Sequence, residues 1–361
     1  MTRLMVASRG DALTPYLYRA LQRRFPGTGQ VAVDLTPAQR YIAAATTFRP
    51  SRQAWVEKFY KSSRAYRFRS ANAARELAGL DGDFDVLFQI HALFDSSRAD
   101  TTLYIDCTHR QSAAHWPAWN PLAGDQLNRW YRQERSAYHR AAHLFAFSEP
   151  TRASLIQDYG VPAEKVTTTG AGINLDQLPE LTGRAQAPTV LFIGNDFVRK
   201  GGLVLLEAFR AVRREIPTAR LQLVGTTPAI ARQDGVDVLG RIWDRAEIVR
   251  LYRQASVFAV PSYFDPFPLV LLEAMAFGLP TVSSHSCGIP EIVEDGRTGR
   301  LVRAGDVSAL AAALIDTLSD PAAAGLAGRA GRSRVERLYT WDAVVDRMAP
   351  ALHRLSLRAA S

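Results

Sequence analysis

The sequence predicts an α/β protein of two doubly wound, parallel-sheet domains. Three observations predict it. Near-continuous apolar runs of strand length alternate with helix-patterned segments, as in sheets covered on both faces. The alternation comes as two series, parted by a Gly-, Pro- and polar-rich stretch at 172–189. A chain of 361 residues with 47% hydrophobic and 22% charged content suffices for two ordinary cores.

In chain order, RLMVAS reads as a strand, TPYLYRALQRRF as a helix and QVAVDLT as a strand. A long basic stretch follows, then the buried strands DVLFQI, TTLYID and HLFAFS. The second series runs TVLFIG, a helix from Gly202 to Glu215, ARLQLVG, VDVLG, a helix around Ala246 to Ala255, VFAVPS, a helix after Asp265, and TVSS. WDAVVDRMAPALHRL closes the chain as a helix at 341–355. The domains are therefore expected at 1–172 and 189–340, with 341–361 packing back towards the first. Ligands of such sheets bind beyond the carboxyl ends of the strands. That rule selects the loops after TVLFIG, ARLQLVG, VDVLG and VFAVPS.

The net charge is +9, which suits phosphorylated substrates, anionic membrane or nucleic acid. The excess is local: Arg49 to Arg75 holds eight basic residues and one acid, Glu57, and the rest nearly balances. No run reaches the length of a membrane span. The opening MTRLMVASRGD lacks the apolar core of a secretory signal. Cys107 and Cys287 have no CxxC spacing and read as free thiols. A cytoplasmic protein, or one peripheral on the inner membrane face, is expected.

Residues 261–280, PSYFDPFPLVLLEAMAFGLP, carry the strongest site signal. Asp265 and Glu273 stand eight apart across a turn that opens a helix, Leu269 to Phe277. A helix start offers unpaired N–H groups and a positive dipole end, fit for a phosphate or a sugar oxygen. Alone, this reads better as a capped core helix, with Glu273 two turns in and near the same face as Asp265. The loop Gly194-Asn195-Asp196-Phe197-Val198-Arg199-Lys200-Gly201-Gly202 places two cations before another helix, a possible pyrophosphate clamp. It has neither Walker nor GxGxxG spacing.

Together IGNDFVRKGG, the LVG at 223–225, VDVLGRI, VFAVPSYFDPFPLVLLEAMAFGLPTVSS and GIPEIVEDGRTGRLV resemble glycosyltransferase family 4, retaining enzymes of the GT-B type. Family order and spacing hold over most of 189–303. The first half matches loosely, through HLFAFSEPTRASLIQDYGVPAEKVTTTGAGIN. The resemblance implies a GT-B fold, two Rossmann-like domains facing a cleft. It implies a nucleoside-diphosphate sugar as co-substrate, UDP before GDP, with no cofactor and no metal. Lys200 matches the lysine on the donor pyrophosphate, with Arg199 and Gly194 beside it. Glu273 matches the carboxylate on the ribose, and Asp265 the one facing the transferred sugar. Backbone groups of Gly240, Arg241 and Ile242 stand where the base is received, and Phe267, Leu269 and Val270 belong to the donor-side turn.

Three departures from the family pattern stand out. Asn195 replaces an arginine whose charge Arg199 is expected to supply. Asp265 replaces a longer glutamate. Pro268 replaces a glycine and removes a backbone donor, so altered donor-sugar recognition is expected.

In the first half, Asp106 and His109 follow a strand where the family often places a sugar-facing polar group. Each reads as a possible catalytic assistant or as a structural hydrogen-bonder. His91 ends another strand. Arg9 and Gly10 lie in the family's acceptor loop, without its usual double glycine. Residues 55–69, WVEKFYKSSRAYRFR, read as one helix with Trp55, Phe59 and Tyr66 on one face and Arg64 and Arg67 among the cations around it. Such a helix meets an anionic membrane or packs its aromatic stripe on the core; both readings stand. The WPAW turn, Trp116 to Trp119, lines an acceptor groove or packs.

The implied function is transfer of a hexose-type sugar to a lipid, lipid-linked or cell-surface glycan hydroxyl. Alternatives are a small soluble acceptor, a binding protein with a decayed site, or a sugar-nucleotide epimerase on a similar fold. No nucleic-acid module is recognisable.

Overall fold

The computed structural model describes residues 2–80, 82–181 and 187–359. The chain forms two compact units, Met1–Gly172 with Trp341–Ser361, and Ile173–Thr340. The stretch expected to part them includes 182–186, which lie outside the described residues.

The first unit runs β1 (Leu4–Ser8), α1 (Thr14–Arg24), β2 (Gly29–Ala32), α2 (Pro37–Thr47), α3 (Arg52–Tyr60), α4 (Ser63–Ala78), β3 (Val86–Ile90), β4 (Thr101–Ile105), α5 (His109–His115), α6 (Gly124–Arg140), β5 (His143–Ala146), α7 (Glu149–Gln157) and β6 (Val166–Thr168). Its parallel sheet has the order β2-β1-β3-β4-β5-β6. β1, β3, β4 and β5 are buried throughout, which is why they read as near-continuous apolar runs. The order turns back at β1, between β2 and β3, so the loops after β1 and β3 flank a switch point.

The second unit runs β7 (Thr189–Ile193), α8 (Gly202–Glu215), β8 (Arg220–Val224), β9 (Val236–Gly240), α9 (Arg245–Gln254), β10 (Val257–Val260), α10 (Leu269–Ala276), β11 (Thr281–Ser284), α11 (Ile289–Ile292), β12 (Gly299–Val302), α12 (Val307–Ser319) and α13 (Pro321–Leu338). Its parallel sheet is ordered β12-β11-β10-β7-β8-β9, with the switch between β7 and β10.

The last helix, α14 (Trp341–Ala359), belongs to the first unit. Its buried Val344, Val345, Met348 and Leu352 form an apolar stripe. It lies against α1, with Arg23 and Asp342 paired at 2.7 Å on the outside. It continues through Pro350, past the expected end at 355. Two strands were not anticipated. β6 and β12 are edge strands of three and four residues, too short and too exposed for an apolar run. The expected single helix over 55–69 is two: α3 stops at Tyr60 and α4 starts at Ser63. Ser62 makes the break, its side chain accepting the Ala65 N–H at 3.1 Å as an N-cap.

Candidate functional site

In the second unit the loops after β7 and β10 meet at the switch point. Lys200 Nζ donates to Asp265 Oδ2 at 2.8 Å, with both residues buried. Arg199 is buried too. Its guanidinium donates to the Phe264 carbonyl at 2.6 Å and to Asp196 at 3.2 Å, and lies 3.4 Å from Asp265. The Tyr263 N–H returns to the Arg199 carbonyl at 2.8 Å. Arg199 thus locks one loop to the other, and its charge is held by these partners. Burial pushes the Asp265 pKa up, but Lys200 and Arg199 outweigh it and hold it below the usual value.

Two glycines make this meeting possible. Gly201 has φ +75°, and a Cβ there would overlap the Pro261 carbonyl. A Cβ on Gly194 would take the space of the Lys200 stem.

Pro268 is the N-cap of α10, and its carbonyl accepts the Leu271 N–H at 3.0 Å. The first-turn N–H groups of Leu269 and Val270 are left to meet a ligand or water. Phe267 is buried edge-on against Tyr339, so its side chain belongs to the core. Glu273 is the fifth residue of α10, one turn in rather than the two turns expected. It accepts from the Tyr252 hydroxyl at 3.1 Å and lies 3.7 Å from Arg245. Burial raises its pKa, with Arg245 and Tyr252 opposing. Tyr252 stacks on Phe277 at 4.9 Å. Tyr252 and Arg245 were missed by sequence reasoning, since α9 reads as an ordinary amphipathic helix.

The loop after β9 starts at Gly240, φ +68°, whose carbonyl accepts the Gly225 N–H at 2.7 Å. Arg241 lies over Trp243 at 5.5 Å, and Ile242 is half-buried between them in sequence. Trp243, 84% exposed, was not singled out, though an exposed tryptophan on a strand-end loop is signal enough. Asn195 is exposed after β7.

In the first unit a second ion cluster spans the loops at the switch. His91 Nδ1 lies 3.1 Å from Asp106, and Nε2 lies 3.4 Å from Asp11. Burial alone would lower the His91 pKa, but the two carboxylates raise it to about 9. Asp11, despite burial, is lowered to about 2 by His91 and Thr14. His91 is therefore an imidazolium held in the left-handed region at φ 59°. Gly10 has φ +77°, and Arg9 covers the Tyr60 ring at 4.4 Å.

Arg9, His91, Asp106 and His109 line one cavity of about 310 Å³ with Glu134. His109 is buried, and neither ring nitrogen has a hydrogen-bond partner among the described residues. Burial and Lys61 depress its pKa to about 3, so it is neutral. Glu134 is pushed up to about 7 by burial and takes the Tyr159 hydroxyl.

The aromatic stripe does not form one exposed face. Trp55 donates its indole N–H to the Ala44 carbonyl at 3.0 Å. Phe59 packs on Leu35, Ala43 and Ala65, and Tyr66 is buried edge-on against Trp130. The break at Ser62 turns the two segments apart, which is why the wheel over 55–69 fails. Arg64 and Arg67 stay exposed on α4. Pro117–Trp119 of the WPAW turn is a 3-10 turn, and the Trp119 carbonyl accepts from Lys61 at 2.5 Å. Among the described residues no group of three His, Cys, Asp or Glu could hold a metal, and no single helix is long and apolar enough to cross a membrane.

Two six-stranded parallel sheets with helices on their faces are the architecture of GT-B glycosyltransferases. Residues 187–320 match the family model for glycosyl transferases group 1. The alpha-maltose-1-phosphate synthase of Mycolicibacterium smegmatis is 30% identical over 275 residues, 67% of this chain and 70% of that protein. The MMP alpha-(1->4)-mannosyltransferase of Mycolicibacterium hassiacum is 27% identical over 318 residues, 81% of this chain and 76% of that one. Anabaena HepE, solved in complex with UDP and glucose, superposes with a TM-score of 0.68 at 14% identity, over 98% of this chain and all of that one. The chain belongs to the glycosyl transferases group 1 family, and it is a glycosyltransferase.

Proposed function

We propose that the protein moves a hexosyl group from a nucleoside-diphosphate sugar, UDP before GDP, to a hydroxyl of a lipid, lipid-linked or cell-surface glycan acceptor, with retention of configuration. The observation that carries this reading is the buried Lys200–Asp265 pair at the β7/β10 switch point. A buried ammonium held by a single displaceable carboxylate is ready to exchange it for a diphosphate oxygen. Support for UDP comes from HepE, which was solved with that nucleotide.

The roles follow from placement. Lys200 and the first turn of α10 hold the diphosphate and neutralise the charge that grows as it leaves. Glu273, steadied by Tyr252, accepts from the ribose hydroxyls. Asp265, released from Lys200, accepts from a hydroxyl of the transferred sugar. The anomeric carbon–oxygen bond breaks with its electron pair going to the diphosphate. The acceptor oxygen bonds to the same face, and its proton passes to the leaving phosphate oxygen. Lys200 supplies a charge that a divalent cation would otherwise supply, so the transfer is proposed to need no metal or cofactor.

In the first unit Asp106 and His109 are proposed to face the acceptor side of the sugar, with Arg9 and Gly10 on the acceptor. Exposed Tyr41, Phe48 and Val56 beside the basic stretch support peripheral contact with the anionic inner face of a membrane. A cytoplasmic location goes with that reading. No role in binding nucleic acid is proposed.

The test is turnover of a panel of UDP- and GDP-hexoses with and without membrane extract, the product anomer read by NMR. Retained anomeric configuration supports the reading, and no turnover of any donor contradicts it.

A further inference from the structure

The basic stretch of the first unit borders a cavity of about 740 Å³ bounded by α3, α4 and α6. Tyr66, packed on Trp130 and Leu122, forms part of its wall. Arg64 and Arg67 stand three apart on α4, Arg129 and Arg132 three apart on α6, so each pair shares a helix face. All four line the cavity and are exposed. Among the described residues none of the four has an ion-pair or hydrogen-bond partner.

Lys58 of α3 lines the same cavity at 8% exposure, and it too has no partner among the described residues. The one acid in the lining, Asp95, is taken by Arg140 at 2.7 Å. α4 also begins here, with Ser62 and Ser63 at the positive end of a 16-residue helix. Gln133, in the same lining, has a buried amide oxygen without a donor.

The stem of Lys58 is buried while its ammonium keeps some contact with water and has no counter-ion among the described residues, so it is free to meet an anion in the cavity. Four further cations, exposed and without side-chain partners among the described residues, give the cavity a positive field that a bound anion would neutralise. Loss of water and the nearby Arg49 lower the Lys58 pKa from the ordinary lysine value, the strain an anion would remove. The volume is that of a small-molecule site rather than a flat patch. Gln133 would accept from a hydroxyl, which adds a carbohydrate element.

We propose that this cavity binds a phosphate-bearing carbohydrate group, the anionic part of the acceptor. The word acceptor rests on the proposed function above; the phosphate site does not. The phosphate could belong to a soluble sugar phosphate or to a lipid headgroup, which share the chemistry read by these cations.

The experiment is calorimetry of the full chain with glucose 6-phosphate and with glucose, saturating UDP filling the nucleotide site. Beside it runs co-sedimentation with phosphatidylglycerol and with phosphatidylcholine vesicles. Glucose 6-phosphate is expected to bind and glucose not, with affinity falling as salt rises. The double variant Arg129→Gln, Arg132→Gln is expected to weaken binding at least about tenfold, from two lost charge-assisted bonds. Should it fail to fold, Arg64→Gln with Arg67→Gln reads the same cavity. Binding of phosphatidylglycerol vesicles alone, lost in the variant, identifies the lipid headgroup as the source. Binding of neither probe, or binding the variants leave unchanged, overturns the proposal. Phosphate binding without turnover of any UDP- or GDP-hexose sinks the proposed donor and acceptor and leaves the site standing.

Discussion

Lys200 and Asp265 close a buried 2.8 Å ion pair between the loops of β7 and β10, the two strands on either side of the second sheet's switch point. The pair lies where a doubly wound sheet receives its ligand, and its cation is the group best placed to meet a diphosphate. Asp265 has a second cation in Arg199, so the carboxylate is not orphaned if Lys200 changes partner. Lys200→Ala is expected to lower donor turnover at least about a hundredfold, while costing only about 1–3 kcal/mol of stability because Arg199 remains. Steady-state kinetics and urea unfolding check both; a fully active variant contradicts the role.

Glu273→Gln keeps the shape of the Tyr252 contact but loses the carboxylate. We expect the donor KM to rise roughly tenfold or more, as for loss of a charge-assisted hydrogen bond, with kcat less affected. Tyr252→Phe, which only unsteadies Glu273, should move KM by a smaller factor. An equal fall of kcat with KM unchanged would point to a role outside ground-state binding.

Pro268→Gly restores an N–H at the start of α10, and glycine is an acceptable N-cap. The ranking of donor sugars is expected to change while UDP affinity stays within about threefold. Assay against UDP- and GDP-hexoses decides it, and an unchanged ranking sinks the idea.

The His91 cluster predicts a pH dependence of stability. Its folded pKa, about 9, lies above the ordinary value near 6.5. The stabilisation is therefore fully present below about pH 6.5 and lost as pH rises through 9. The span corresponds to about 3 kcal/mol. Asp11, lowered to about 2, works in the other direction: its share is present above about pH 4 and lost as pH falls through 2. Urea unfolding at pH 6.5 and 9.5 should show a drop in the wild type that His91→Gln largely removes. The same drop in both proteins would contradict it.

Much of the second unit was legible in the sequence, because its central strands β7 and β10 are buried and largely apolar. The Gly202–Glu215 helix was read at its observed bounds for the same reason: its apolar stripe is unbroken. What stayed hidden were pairings across the switch points. Nothing in the sequence of Asp265 says that it holds Lys200, 65 residues away, or that Asp11 and Asp106 will keep His91 charged. The break at Ser62 was legible in principle, since serine is a strong N-cap, but the cations on either side mask it. Edge strands such as β6 are too short to print a pattern. The basic stretch showed its charge but not its geometry, because α6, which closes the cavity, lies far along the chain.

The most direct measurement is calorimetric titration of UDP into the wild type, Lys200→Met and Asp265→Asn. If Lys200 is the diphosphate cation and Asp265 its stand-in partner, Lys200→Met weakens UDP at least about tenfold. Asp265→Asn, with the competing carboxylate removed, binds UDP as tightly as the wild type or tighter. UDP affinity unchanged in Lys200→Met would contradict the account.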